Sequence, residues 1–200
     1  MNNMIIRDFS HLDEQGWLRC RVVSFLDCSY WNDVKTAKEV YSHPAVSLVA
    51  EEQGQIVGLL ELELDSDDIV YPNNGRGAIL WHMAVLPEYR RKGVAAKLWK
   101  EAEKQLIAEG ITYCELWTQE DEAANRFYRA MGFVQQPQDS WLRCYAKWDD
   151  CYDLLDKRKI GEIYGAEEVV FQAAPSRKEE LSKKCYRIDE VRLYSKKFGC

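Results

Sequence analysis

Residues 78–86, Ala-Ile-Leu-Trp-His-Met-Ala-Val-Leu, are apolar on both faces of an extended chain apart from one histidine. A strand of that kind has no solvent side. It must be covered from above and below, which places it at the centre of a mixed α/β domain. Pro87 closes it, and Glu-Tyr-Arg-Arg-Lys-Gly follows. Apolar residues then recur at Val94, Leu98, Ala102 and Leu106 up to Gly110. That spacing predicts a helix over 94–109. Strand, basic loop and helix form one unit around which the rest of the chain has to be arranged.

On the N-terminal side, residues 4–9 read as a short strand, and Ser10 with Asp13 three residues on reads as a helix N-cap. Leu12, Trp17, Leu18, Val22, Phe25 and Leu26 recur at roughly helical spacing. Residues 29–33 break the pattern, and a short helix is expected to follow up to Tyr41, stopped by Pro44. Residues 47–52 and 55–64 predict a hairpin turning at Gln53-Gly54. In its second strand Glu61, Glu63 and Asp65 predict a wet face, and Leu60, Leu62 and Leu64 a dry one. Residues 65–77 read as loop, 112–117 as a strand and 121–131 as a helix stopped by Gly132. Residues 133–134 and 141–148 read as a closing hairpin.

This defines a mixed α/β domain over residues 1–148, with residues 149–200 as an extension. In the extension, 168–172 and 190–194 read as strands and 175–184 as a charged helix with proline at its start. Two strands and a helix bury little by themselves. The extension is therefore expected to pack on the body or, as the arm of a homodimer, on a second copy.

The net charge of −6 is confined to the body, because residues 149–200 hold 11 basic and 11 acidic residues. A general nucleic-acid binder would be basic, so that class is set aside. No apolar run approaches the roughly 20 residues of a membrane-spanning helix, and the first residues turn polar too soon for a signal peptide. Seven scattered cysteines without a C-x-x-C pair read as a reduced, cytoplasmic protein with no zinc site. No metal and no membrane partner is expected.

The unit at 78–96 has the makings of a pyrophosphate seat. The first amides of a helix have no internal partners and point out of its end. Gly93 lets a ligand approach the backbone, and Arg90, Arg91 and Lys92 add charge to the positive helix end. Neither a GxxxxGK[ST] nor a GxGxxG pattern is present. Tyr128, late on the 121–131 helix, carries a phenolic proton suited to a thiolate leaving group.

Arg90-x-x-Gly93-x-Ala95 after a strand, followed by Ala124-x-x-Phe127-Tyr128-x-x-x-Gly132-Phe133, resembles the GCN5-related N-acetyltransferase (GNAT) superfamily. The resemblance spans residues 4–148. It implies a mostly antiparallel sheet with helices on both faces and a V-shaped splay between the fourth strand, 78–86, and the fifth, 112–117. It also implies acetyl-CoA as co-substrate and acetyl transfer to an amine. The pantetheine arm would pair with Met83, Ala84 and Val85, and the pyrophosphate would sit on Arg90, Arg91, Lys92, Gly93, Val94, Ala95 and Ala96. Tyr128 would protonate the departing CoA thiolate. Asp121 stands where the family often has asparagine, and Asn125, one turn before Tyr128, is a substitute contact for the cofactor arm.

The general base stays open among His82, Glu115, Glu61 and Glu63. Strict alternation groups His82 with Leu80, Ala84 and Leu86, and Trp81 with Ile79, Met83 and Val85. On that grouping His82 reads first as a core histidine. Acceptor specificity is expected from the loop Asp27–Asp33, whose two acids stand with Tyr30 and Trp31, from Trp81 and from the acidic 65–77 loop, which suit a small cationic amine. Peptide or protein amines, and an acyl-CoA-binding sensor without turnover, are the alternatives.

Overall fold

The computed structural model describes residues 4–151, 154 and 167–199. Residues 152, 153, 155–166 and 200 of the expected extension lie outside the described residues. The strands are β1 (Ile5–Asp8), β2 (Ala45–Glu52), β3 (Gln55–Leu64), β4 (Gly77–Val85), β5 (Tyr113–Thr118), β6 (Val134–Lys147), β7 (Glu168–Ala173) and β8 (Arg187–Lys197). The helices are α1 (Glu14–Phe25), α2 (Val94–Ala108), α3 (Glu122–Ala130) and the short α4 (Trp148–Cys151) and α5 (Lys178–Leu181). All eight strands form one sheet in the order β1-β2-β3-β4-β5-β8-β6-β7. Among the described residues only the β4–β5 pair is parallel, as the crossover through α2 requires. The rest is antiparallel, giving the mixed, mostly antiparallel sheet expected.

Local chemistry fixes the entry to α1. The Ser10 hydroxyl accepts from Leu12 N, and the Asp13 carboxylate accepts from Ser10 N at 2.7 Å. Gln53 and Gly54 both take positive φ, +53° and +77°, as a two-residue hairpin turn demands. Trp17 of α1 reaches Glu61 on one face of β3, while Val94 and Leu98 of α2 crowd Gly58 on the other. The main core lies between α2 and the sheet and is built from Leu48, Leu60, Leu62, Leu98, Trp99 and Leu106.

Four expectations are corrected. No helix forms between residues 34 and 44, because side chains of that segment are drawn to the sheet: Lys38 Nζ lies 2.9 Å from Glu61, and Glu39 pairs with His82. Those contacts override local helix propensity. Residues 133–148 form no closing hairpin. β6 is one strand along β8, interrupted where Gln136 pairs with Leu193 and Trp141 with Val191. Pro137, which cannot donate to a ladder, sits in that interruption. The face of Glu61 and Glu63 is not wet: the two are 0% and 5% exposed, covered by α1 and residues 38–43. Finally, strict alternation fails in β4. Glu61 pairs with His82 and Leu62 with Leu80, so Trp81 is a bulge residue without a β3 partner. A bulge inverts the faces beyond it. His82 therefore shares the α1 side with Glu61 and Ile79, not the side of Leu80.

β8 enters the sheet between β5 and β6, pairing Tyr113 with Lys197 and Trp141 with Val191. Residues 187–197 are thus strand-paired within the sheet of residues 5–147.

Candidate active site

β4 and β5 pair only from Gly77↔Tyr113 to Leu80↔Leu116. Beyond that point β5 continues along β8, while residues 81–85 of β4 have no strand partner on that side among the described residues. The two strands part, and a cavity of about 950 Å³ opens there. Leu86 N donates to Val57 O on β3. By antiparallel alternation, the backbone groups of Val85 and Met83 then face the gap. One wall of the cavity is residues 80–85, and the other is Trp117, Thr118, Asp121, Ala124, Phe127 and Tyr128.

One end is closed by the β4–α2 loop. Pro87 starts a single 3₁₀ turn, Arg91 takes φ +61° and Gly93 φ +81° at the N-cap of α2. No side chain caps this helix, and a Cβ on Gly93 would meet nothing within 4 Å. Val94, Ala95 and Ala96 line the cavity, so the first α2 amides and the positive helix end are turned to it. These features fit an anion brought in on a flexible arm. Arg90 is a brace. Its guanidinium meets both Asp27 oxygens at 2.9 Å, and donates to Ser24 O at 2.8 Å and to Val85 O at 3.2 Å. It ties the loop to the end of α1. Lys92 lies over the Tyr89 ring at 4.9 Å and does not line the cavity.

Tyr128 packs its ring against Phe133 and Tyr194, at 5.9 and 6.3 Å between centroids. Burial holds its phenol protonated well above the usual tyrosine range. Tyr30 lines the same cavity. Its hydroxyl donates to Thr118 Oγ1 at 3.2 Å and accepts from Gln119 N at 2.9 Å, which pins the loop after α1 to the end of β5.

His82 and Glu39 line the cavity as a hydrogen-bonded pair, His82 Nε2 to Glu39 Oε2. The Trp17 ring stands edge-on to the imidazole at 6.2 Å. Glu39 also holds Lys35 Nζ at 2.5 Å. The hydrogen bond from His82, partly opposed by burial and helped by Lys35, pulls the Glu39 carboxyl down to about 2. Asp33 lines the cavity as well, with one oxygen 2.7 Å from buried Arg21. Beside this cavity lies a second of about 300 Å³, lined by Glu39, Glu63, Asp67, Asp68 and Trp81. Trp81, with 37% of its surface exposed, lines both and donates from Nε1 to Glu63 at 3.0 Å.

Besides Lys92, three residues singled out in the sequence lie elsewhere. Glu115 is fully buried and accepts from Val70 N and Tyr71 N at 2.8 and 3.1 Å, so it anchors the 65–77 loop away from the cavity. Burial, outweighing those two donors, raises its pKa. Asn125 is buried with both Nδ2 donations used, to Gln119 O and Asp121 O, while Oδ1 accepts from Tyr194. Trp31 is half exposed and lines neither cavity. Sequence reasoning missed Glu39 and Lys35, while Asp33 lies in the 27–33 loop expected to face the acceptor. The one hint was a histidine in an apolar strand, which needs a polar partner from somewhere else in the chain.

The sequence profile of the Acetyltransferase (GNAT) family matches residues 6–133. An acetyltransferase of Sodalis glossinidius is 30% identical over 140 residues, 66% of this chain and 89% of that protein. The fold is similar to that of a GNAT-family acetyltransferase from Streptococcus pneumoniae, with TM-score 0.61, 16% identity, and coverage of 98% of this chain and 100% of the other. It is also similar to yncA of Salmonella typhimurium, solved with its cofactor acetyl-CoA, with TM-score 0.60, 15% identity, and coverage of 99% and 95%.

Proposed function

The chain belongs to the GNAT acetyltransferase family, and from that premise we propose that it moves the acetyl group of acetyl-CoA onto a primary amine of a small cationic molecule. The observation that carries this reading is one cavity joining three things. They are an uncapped helix N-terminus at Gly93, the unpaired edge of β4 at Met83 and Val85, and the side chains of Tyr128, His82 and Glu39. Acetyl-CoA, the cofactor in the yncA structure, supports the ligand.

The roles follow from the chemistry. Residues 91–96 hold the pyrophosphate by backbone N–H groups. The outward-facing backbone of Met83 and Val85 pairs with the pantetheine arm, and one of those N–H groups receives the oxyanion formed at the acetyl carbon. An amine arrives as an ammonium and must shed a proton before its nitrogen can attack. The His82–Glu39 pair takes that proton. The new C–N bond forms, the C–S bond breaks, the thiolate takes the phenolic proton of Tyr128, and the second proton, shed by the acylated nitrogen, restores the phenol. Asp33, Glu39 and the acid-lined side cavity beyond Trp81 favour a cationic acceptor. We assign residues 187–197 to the same catalytic domain, because β8 forms part of the wall behind Tyr128. A non-catalytic acyl-CoA sensor would have no use for a buried phenol and a histidine–carboxylate pair in one cavity.

The test is a calorimetric titration with acetyl-CoA, acetate as control, followed by an amine screen read by release of free CoA thiol. Micromolar binding with thiol release on a cationic amine supports the proposal. Binding without release on any amine overturns the enzymatic part, and no binding by the folded protein overturns the cofactor site.

A further inference from the structure

Reading Tyr128 as the acid raises the question of what aims it. Its hydroxyl has no hydrogen-bond partner among the described residues, so the ring's packing and its helix set the direction of the proton. One of the three rings packed on it, beside Phe127 and Phe133, is Tyr194 of β8, which is fully buried. The Tyr194 hydroxyl is used twice. It donates to Asn125 Oδ1 at 2.8 Å and accepts from Arg129 Nη1 at 3.2 Å. Asn125 and Arg129 stand one turn apart on α3, with Tyr128 between them in sequence. Asn125 passes the tie on, donating to Gln119 O at 2.8 Å and Asp121 O at 2.7 Å in the turn that leads from β5 into α3.

We propose that Tyr194 is a positioning residue for acetyl transfer, aiming the Tyr128 phenol by fixing α3 through Asn125 and Arg129. This rests on the reading of Tyr128 as general acid. A phenylalanine would fill the same space, so the hydroxyl has to be explained, and both its partners lie on the helix that carries Tyr128. An acid displaced by a fraction of an ångström from its leaving group loses much of its effect.

The experiment is a double-mutant cycle of Tyr194→Phe with Tyr128→Phe on the full chain, reading kcat and the KM for acetyl-CoA with the best amine found. Alone, Tyr194→Phe is expected to lower kcat about 10-fold with KM changed no more than about twofold. In the Tyr128→Phe background it is expected to change kcat by less than about twofold, because the aimed group is gone. An equal loss in both backgrounds, or none in either, overturns the positioning role. Wild-type kcat in Tyr128→Phe alone overturns the acid reading on which it rests, a separate and recognisable result. Should Tyr194→Phe fail to fold, exposed Arg129→Met serves instead, removing the second partner of the hydroxyl. A loss that survives in the Tyr128→Phe background counts against the proposal there too.

Discussion

Replacing Glu39 by glutamine removes a charge but keeps the shape and most of the hydrogen bonding, and it needs no known substrate to be informative. The Glu39 carboxyl sits at about 2 in the folded protein against 4.5 when unperturbed. At about 1.4 kcal/mol per tenfold this corresponds to about 3 kcal/mol. One third of the Glu39 side chain is in water, where ion pairs are screened, so about 1–2 kcal/mol is the realistic share. The sign is that of a depressed acid. The stabilisation is fully present above pH 4.5 and is lost as pH falls towards 2. Urea unfolding of wild type and Glu39→Gln should therefore differ by about 1–2 kcal/mol at pH 7, with more than half of the gap gone by pH 3. In 1 M salt the pH 7 gap should shrink, because the screening length falls to about 3 Å. A gap of the same size at pH 7 and pH 3 would refute the argument. It would mean that shape, not the charge held between His82 and Lys35, is what the glutamine disturbs.

Tyr128→Phe should lower kcat by about 10²-fold while leaving the calorimetric Kd for acetyl-CoA unchanged, if the phenol acts only on the leaving thiolate. Gly93→Glu should fold, since a Cβ there meets open space, yet abolish acetyl-CoA binding by calorimetry. Its left-handed φ of +81° should cost about 1 kcal/mol in the same urea series. Gly58→Ala should destabilise by about 1–3 kcal/mol in thermal unfolding, because its Cβ would lie 2.9 Å from Val94 Cγ1 and 3.1 Å from Leu98 Cδ1.

Much of the sheet, and the turn and helix that close one end of the cavity, was legible because their determinants are local. Pro87, Gly93 and the 94–106 periodicity fix a turn and a helix within twenty residues, and Ser10 with Asp13 fixes another turn within four. The end lined by His82 and Glu39 was not, because it depends on partners far apart in sequence. His82 meets Glu39 across 43 residues and Trp17 meets Glu61 across 44. Burial of Glu61 and Glu63 follows from what residues 38–43 lay over them, which no periodicity in β3 reveals. The Trp81 bulge moves His82 to the α1 face by one unpaired residue, and apolar residues on both sides of β4 leave no pattern from which to read it.

The place of β8 has a consequence for how the protein is made. Thr118 pairs with Arg192 and Tyr113 with Lys197, separations of 74 and 84 residues. On a ribosome the N-terminal strands and α2 can assemble early. β5 then waits with one edge bare until residues 187–197 have left the exit tunnel. During that interval the unpaired edge of β5 is open to other extended chains. Pairing over such separations is also slow compared with local folding. The wall behind Tyr128 is thus among the last parts of the protein to exist. A nascent chain stalled before residue 187 would hold the basic loop and α2 without the strand that backs the phenol.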